Sequence, residues 1–392
     1  MKSQLTKENT DLKQKLLKVN SNNTNSNNNF KIFNNQSFQI KSFISKEKDN
    51  KKYIELENYF SSVWCMLKLN SINYIENGKN LKLNLIAIGF SGGRIYLINS
   101  STMEIHQLIN ETSTIYSLCQ FNNNPKYLIC SLSTGFISIY ILKDKYYEII
   151  QTIRKPPEIE KGEINKVITL SNGDLASADR GSITIWKQKT DEKYNKIEEF
   201  ELYKEIITDN DACQLIEVNP NIFACAIYKD ESIKIFNNNG NDYPLLGIIS
   251  NVESHGDNSN GMAKIDDKLF CLGGINCTFY LVCVEPVQLI QKIQLYNENS
   301  LNYVSSLCMS NKGLLFVSYD DKIVQFKIIN DENNNFIEFK EFDIINNKQN
   351  SSEAIVETED GKIFYQLKTD KTIFCLYPFK FDKNFVNKID NQ

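Results

Sequence analysis

Short strand-like runs recur along this chain at a regular interval, and this repeat limits the possible folds more than any other feature of the sequence. The clearest copy is GDLASADRGSITIW at 173–186, in which a tight Asp-Arg-Gly turn separates two strand-like runs. Aligning other segments on Ile183 gives seven copies, spaced by 42 to 50 residues. The aligned positions are Ile95, Ile137, Ile183, Ile233, Phe279, Ile323 and Ile373.

Each copy extends to four strand-like runs. Two apolar runs precede the aligned position, as NKVITL and DLASA do before GSITIW, and a more polar run such as KIEEFELY follows it. Four short strands in a unit of forty-odd residues, without a helical period, are typical of a β-propeller blade. The sequence therefore predicts an all-β fold, a seven-bladed β-propeller of four-stranded antiparallel blades. Misreading one weak unit would change the count to six or eight.

The last unit needs a strand from elsewhere, because little chain follows KTIFCLYPF for a fourth strand. A spare strand-like run, KKYIELEN at 51–58, precedes the first unit and is predicted to close the ring by backbone hydrogen bonds. FQIKSF at 38–43 is a second candidate for this role. The predicted propeller spans 37–382, with blades to about residue 380, and leaves a C-terminal tail at 383–392.

The N-terminal segment has a different character. Leucine and valine at seven-residue intervals predict a short amphipathic helix at 1–19, which is either a frayed tail or a docking helix. Residues 20–36 are dominated by Asn and Ser and predict a linker, since such a segment cannot bury enough apolar surface to fold.

The stretch GDLASADRGSITIWK resembles a WD40 repeat, and the resemblance covers roughly residues 53–380. In that family each blade often carries a Gly-His pair, a turn Asp and a terminal Trp-Asp, which form a hydrogen-bond network. Here Lys187 follows Trp186 where the family has Asp, and the chain has two His in all. Turn Asp residues without a His partner are interpreted as plain turn formers, with blade stability resting on apolar packing between blades. They are Asp179, Asp230, Asp320 and Asp370.

Composition and sequence pattern disfavour several classes of function. A formal net charge of −4 with 23% charged residues does not favour a nucleic-acid-binding protein. No apolar run reaches the roughly 20 residues of a membrane span, and the N-terminus lacks a secretory signal, so a cytoplasmic location is expected. The ten cysteines lie singly in apolar runs, which predicts reduced, mostly buried thiols and no metal site.

Proteins of the WD40 family mostly bind partner proteins on the face that carries the turns between second and third strands and the starts of the first strands. Carried over by position, that face should display one set of aromatic and Arg side chains, although ordinary surface roles are an open alternative. The set is Trp64, Phe90, Arg94, Tyr116, Arg180, Tyr228 and Tyr319.

Enzymatic function is disfavoured, because the innermost strands offer no convergent acid or His. They present Asn165, Cys213, Ser305 and Ser306 instead, while His106 and His255 belong to no triad or metal set. No cofactor is expected, and a phosphoinositide site lacks a paired-Arg turn. The sequence thus predicts a non-catalytic scaffold for protein assembly. The alternative is a fixed component of a cytoskeletal or ciliary assembly, anchored through 1–19.

Overall fold

A computed structural model gives the arrangement of the strands. It describes residues 51–55, 62–76, 78–156, 162–191, 196–254, 261–295, 303–319, 322–330, 337–346, 352–367 and 372–376. These segments form thirty strands and contain no helix. The predicted helix at 1–19, the linker at 20–36, the segment 38–43 and the tail at 383–392 lie outside them.

Six four-stranded antiparallel sheets follow one another along the chain, each made from one continuous segment. Sheet one contains β2 (Val63–Lys68), β5 (Leu85–Phe90), β6 (Arg94–Asn99) and β7 (Glu104–Asn110). Sheet two contains β8 (Ile115–Gln120), β9 (Tyr127–Leu132), β10 (Phe136–Lys143) and β11 (Tyr146–Arg154). Sheet three contains β12 (Ile164–Thr169), β13 (Leu175–Asp179), β14 (Ser182–Asp191) and β15 (Lys196–Ile207).

The next three sheets repeat this order of strands. Sheet four contains β16 (Ala212–Asn219), β17 (Ile222–Ile227), β18 (Ser232–Asn237) and β19 (Leu245–Ser250). Sheet five contains β20 (Met262–Lys264), β21 (Leu269–Gly273), β22 (Thr278–Val284) and β23 (Val287–Gln294). Sheet six contains β24 (Val304–Met309), β25 (Leu314–Tyr319), β26 (Lys322–Asn330) and β27 (Ile337–Asn346).

A composite sheet, which we call the closing sheet, joins the two ends of the described chain. It contains β28 (Ser352–Glu357), β29 (Ile363–Leu367) and β30 (Thr372–Leu376), with β1 (Lys51–Glu55) as its outermost strand. β1, which lies within the proposed closing segment 51–58, pairs antiparallel with β30, so that Lys52 is opposite Cys375 and Ile54 is opposite Ile373.

The expected count of seven blades needs correction. Six blades are each completed by their own continuous segment of chain. The remaining four-stranded sheet combines β28, β29 and β30 with β1 from the other end of the described chain, so no single copy of the repeat supplies it. The physical reason is that the last unit provides three strands, which leaves an unpaired sheet edge until another segment hydrogen-bonds to it.

The sheets form a ring in which each first strand contacts the first strand of the next sheet, and β28 contacts β2. An apolar cluster fills the space between each pair of neighbouring sheets, including the closing sheet and sheet one. Second strands such as β5, β9, β17 and β25 are buried along their whole length. Burial on both faces is what a strand between two neighbouring sheets requires, and it explains why these runs are continuously apolar.

Sheet one carries an insertion that the repeat did not predict. A two-stranded hairpin, β3 (Ile72–Glu76) and β4 (Lys79–Leu83), lies between β2 and β5. Gly78, directly before β4, has a φ of 74°, and the sequence at this point reads Asn-Gly. Asn-Gly favours two-residue hairpin turns because both positions tolerate positive φ, so this dipeptide was the available sequence signal.

Candidate functional site

A β-bulge recurs at the start of the first strand in six of the seven four-stranded sheets described. In each case the register skips one residue, which is left without a ladder partner. The skipped residues are Trp64, Tyr116, Asn165, Cys213, Ser305 and Glu353. A bulge redirects the side chain of its extra residue, and these positions lie at the same end of the innermost strands. We call this set the bulge ring.

Three members of the bulge ring use their polar atoms within the fold. The Asn165 amide donates from Nδ2 to the carbonyl of Ala212 at 2.9 Å, which links sheets three and four. The Ser305 hydroxyl lies 3.2 Å from the carbonyl of Ser318, and the Cys213 thiol lies 3.2 Å from the carbonyl of Ala226. These contacts give the three side chains a structural role.

Trp64 and Tyr116 are the two aromatic members of the bulge ring, and both are half-buried. Their ring centroids are 4.9 Å apart with an interplanar angle of 49°, so the contact joins the first strands of sheets one and two. Aromatic pairs at this separation stabilise each other while part of their surface stays accessible. The structure therefore brings together two of the predicted partner-binding residues.

Two other predicted residues are not on the surface. Phe90 and Tyr319 are each 4% exposed, which corrects the expectation that the face displays them. Phe90 packs edge to face on Tyr96 at 5.2 Å, in the cluster between sheet one and the closing sheet. Tyr319 belongs to the cluster between sheets five and six. Each is the last residue of a second strand, and its side chain points between two sheets instead of towards solvent.

The remaining predicted residues do not gather into one site. Arg94 is half-buried and lies opposite Phe90 across the β5–β6 ladder. The Arg180 side chain is 56% exposed and forms an ion pair with Glu163 at 3.0 Å. Tyr228 is exposed on the turn between β17 and β18, where the Lys229 ammonium lies 5.9 Å from its ring centroid.

Sequence reasoning missed a buried ionic cluster at one of the turn aspartates. The ammonium of Lys155 lies 2.5 Å from Oδ2 of Asp179 and 2.8 Å from Oε1 of Glu205, and it donates to Oγ of Ser182 at 2.7 Å. These contacts use all three N–H donors of the ammonium. Burial raises the pKa of Asp179, and the nearby Lys155 opposes that shift.

This cluster corrects the interpretation of Asp179 as a plain turn former. Lys155 precedes the first strand of sheet three. It gives Asp179 a cationic partner, although the sequence has no His to pair with this Asp. In the same sheet, Trp186 Nε1 donates to Oγ of Ser177 at 3.0 Å. Asp230, by contrast, is exposed and accepts a hydrogen bond from Nδ2 of Asn210 at 2.7 Å, while Asp320 and Asp370 lie outside the described residues.

Within the part of the chain that the structure describes, the titratable groups do not gather around one centre. No group of three or more His, Cys, Asp or Glu residues with metal-binding geometry occurs among the described residues. Burial raises the pKa of the Cys65 and Cys119 thiols to about 12, so both stay protonated at neutral pH. His106 lies on outer strand β7, where Nε2 is 2.6 Å from the carbonyl of Lys145, and His255 lies outside the described residues.

Comparison with known proteins supports the fold. No family model and no curated protein matches the sequence. Solved structures do match: that of U3-55K has a TM-score of 0.63 at 9% identity over 83% of this chain and 98% of the other. The WD40 β-propeller domain of Doa1 has a TM-score of 0.56 at 14% identity over 84% and 98%. A chain in a mitotic checkpoint complex has a TM-score of 0.60 at 12% identity over 88% and 99%.

These similarities define the class of fold, a WD40-like β-propeller. None of the described segments forms a helix with the length and apolarity that crossing a bilayer requires.

Proposed function

We propose that this chain is a non-catalytic scaffold that holds a partner protein on the face carrying the bulge ring. The aromatic contact between Trp64 and Tyr116 is the observation that supports this function best. Trp and Tyr are the side chains most enriched among residues that dominate binding energy at protein interfaces. Both are held by first strands of the ring, so a partner meets a surface that is already ordered.

The solved structures that the fold resembles support a role in protein interaction only in general terms. One of them is a chain in a mitotic checkpoint complex, so a similar ring is used within a multiprotein assembly. Identities of 9 to 14% do not transfer a particular partner to this chain. The partner therefore has to be found by experiment.

The test compares capture by tagged full-length protein and by its Trp64→Ala and Tyr116→Ala variants, followed by quantitative mass spectrometry. Loss of a central aromatic anchor should reduce retention of the specific partner by at least about tenfold, since hot-spot residues contribute about 2 kcal/mol or more. Tyr146→Ala is the matched control, because Tyr146 is exposed on outer strand β11, away from the bulge ring.

Thermal unfolding of each variant shows whether the propeller stays folded. Retention of the same partners by all four proteins would contradict a binding role for the bulge ring. Retention that falls equally for the Tyr146→Ala control would place the interaction elsewhere.

The alternative role, a fixed component of a cytoskeletal or ciliary assembly, requires residues 1–19 as the anchor. Deleting residues 1–36 distinguishes the two roles: capture through the bulge ring persists, whereas recruitment through the N-terminal segment is lost. A cytoplasmic location also stays a prediction, and imaging of a fluorescent fusion to the full chain checks it.

A further inference from the structure

Gly89, on the second strand of sheet one, lies beside the bulge that places Trp64. In the ladder between β2 and β5, Cys65 is opposite Gly89 and Val63 is opposite Phe90, so the skipped residue lies between these two pairs. A Cβ added at Gly89 would lie 2.7 Å from Sγ of Cys65, closer than non-bonded atoms pack. The bulge at Trp64 therefore forms against a residue that has no side chain.

The same glycine lies against the first strand of sheet two. The added Cβ would be 2.7 Å from Cγ2 and 2.9 Å from Cβ of Ile115, the residue before Tyr116. The Cys65 thiol lies 3.8 Å from the carbonyl oxygen of Ile115, so the first strands of sheets one and two meet here. Gly89 is thus in close contact with a chain neighbour of each member of the aromatic pair.

A need for space explains the glycine at this position. Gly89 does not have a positive φ, so its backbone conformation is open to other residues. The residue opposite the aligned isoleucine is Gly89 in sheet one but Ala178 and Ala226 in sheets three and four, so the repeat itself accepts a Cβ there. Glycine inside a strand often marks a place where another segment approaches closely.

We propose that Gly89 is a positioning residue of the bulge ring. Because it lacks a side chain, the first strands of sheets one and two approach closely enough for Trp64 and Tyr116 to form one aromatic surface, with ring centroids 4.9 Å apart. A methyl group at Gly89 has to displace Cys65 or Ile115 by about 1 Å to reach ordinary contact distance. Either displacement moves one ring relative to the other.

Sheet five offers a matched control for this substitution. Gly273 lies opposite the aligned Phe279, and a Cβ added there would lie 2.8 Å from Cγ1 of Val304 on the first strand of sheet six. Alanine at Gly273 therefore crowds two neighbouring sheets in the same way, but away from the contact between sheets one and two.

The test is fluorine NMR of the full chain labelled with fluorotryptophan, because Trp64 and Trp186 are the two Trp residues in the sequence. Trp186→Phe assigns the two resonances, and Tyr116→Ala shows where the Trp64 resonance lies without its aromatic neighbour. Gly89→Ala should shift the Trp64 resonance by more than its linewidth, whereas Gly273→Ala should leave it in place. Thermal unfolding shows that each variant is folded.

Two results would overturn the positioning role: a Trp64 resonance that does not move in Gly89→Ala, or one that moves equally in Gly273→Ala. If Gly89→Ala does not fold, the double variant Gly89→Ala with Ile115→Ala is compared with Ile115→Ala alone. The double variant lacks the Cγ2 atom that the new Cβ meets. Identical Trp64 resonances in those two proteins would also overturn the role.

The effect on binding rests on the proposed function and is measured separately. In the capture assay, Gly89→Ala should reduce retention of the partner that Trp64→Ala loses, and Gly273→Ala should not. Full retention by Gly89→Ala, with loss in Trp64→Ala, would show that binding does not depend on this glycine. Full retention by Trp64→Ala itself would contradict the proposed function, and the NMR comparison would still decide whether Gly89 positions the rings.

Discussion

Removing the buried cation of Lys155 should destabilise the propeller far more than removing an exposed one. The Lys155 side chain is 4% exposed and its partner Asp179 is 3% exposed. Lys155→Met keeps the length of the aliphatic stem but leaves two carboxylates, those of Asp179 and Glu205, without their shared cation. Breaking a buried ion pair by removing one partner costs about 3 to 5 kcal/mol.

The structure places this variant near the lower end of that range. Ser182 Oγ lies 2.6 Å from Oδ1 of Asp179, and Thr184 donates to Oδ2 at 3.3 Å, so hydrogen bonds to the carboxyl group persist without the lysine. Burial already raises the pKa of Asp179, so this carboxyl group can also take up a proton. We therefore expect a loss of about 3 kcal/mol in the free energy of unfolding.

Lys189→Met is the matched control, because it makes the same change at an exposed ion pair. Lys189 and Glu201 are 2.5 Å apart, and each side chain is about half exposed. Solvent screens an exposed pair, so its loss should change the free energy of unfolding little. Urea unfolding followed by circular dichroism measures both variants. Similar losses for the two would refute the stabilising role of the buried cluster, as would a double variant, Lys155→Met with Asp179→Asn, that is no more stable than Lys155→Met alone.

Three further predictions concern stability and use the same unfolding assay. Ser177→Ala leaves the buried Trp186 indole without its acceptor and should cost about 1 to 3 kcal/mol; an unchanged midpoint would show that the bond contributes nothing. Gly89→Ala places a Cβ 2.7 Å from Cγ2 of Ile115 and should cost about 1 to 3 kcal/mol, unless the neighbouring first strand shifts freely. Burial raises the pKa of Asp174, so its contribution to stability is full below the unfolded pKa and is lost as pH rises through the folded pKa. Asp174→Asn should therefore gain stability relative to wild type as pH rises from about 4 to 7, and a constant difference would contradict this.

The sequence predicted the strands well because the same pattern of buried and exposed strands recurs in each sheet. A second strand such as β9 is buried on both faces, so it reads as a continuous apolar run, and the outer strands read as more polar. The ends of the strands were harder to predict. Moving one residue along a strand reverses the direction of a side chain, so an aromatic beside a turn can point to solvent or between sheets. Phe90 and Tyr319 point between sheets, against expectation.

Contacts between distant residues account for what the sequence could not show. Lys155, directly after outer strand β11 of sheet two, meets Asp179 at the end of β13 in sheet three, a contact that no local pattern reveals. The contact of Trp64 with Tyr116 likewise depends on two bulges in adjacent sheets. The hairpin of β3 and β4 is different, because the Asn77-Gly78 dipeptide is a local sequence signal for a hairpin turn. The repeat did not predict it, because the hairpin is an insertion outside the four repeated strands.

The pairing of β1 with β30 is the contact that closes the ring, and a single substitution can test it. Lys52 lies opposite the native Cys375, so Lys52→Cys creates a cross-strand cysteine pair. Directly opposite residues in antiparallel strands have Cα atoms about 4.5 to 5.5 Å apart, within the range that a disulfide spans. Mild oxidation and peptide mapping should find residues 52 and 375 linked. Tyr53→Cys, one residue along and therefore on the other face of the sheet, should not link to Cys375. No link at 52, or equal links at 52 and 53, would contradict the closed ring.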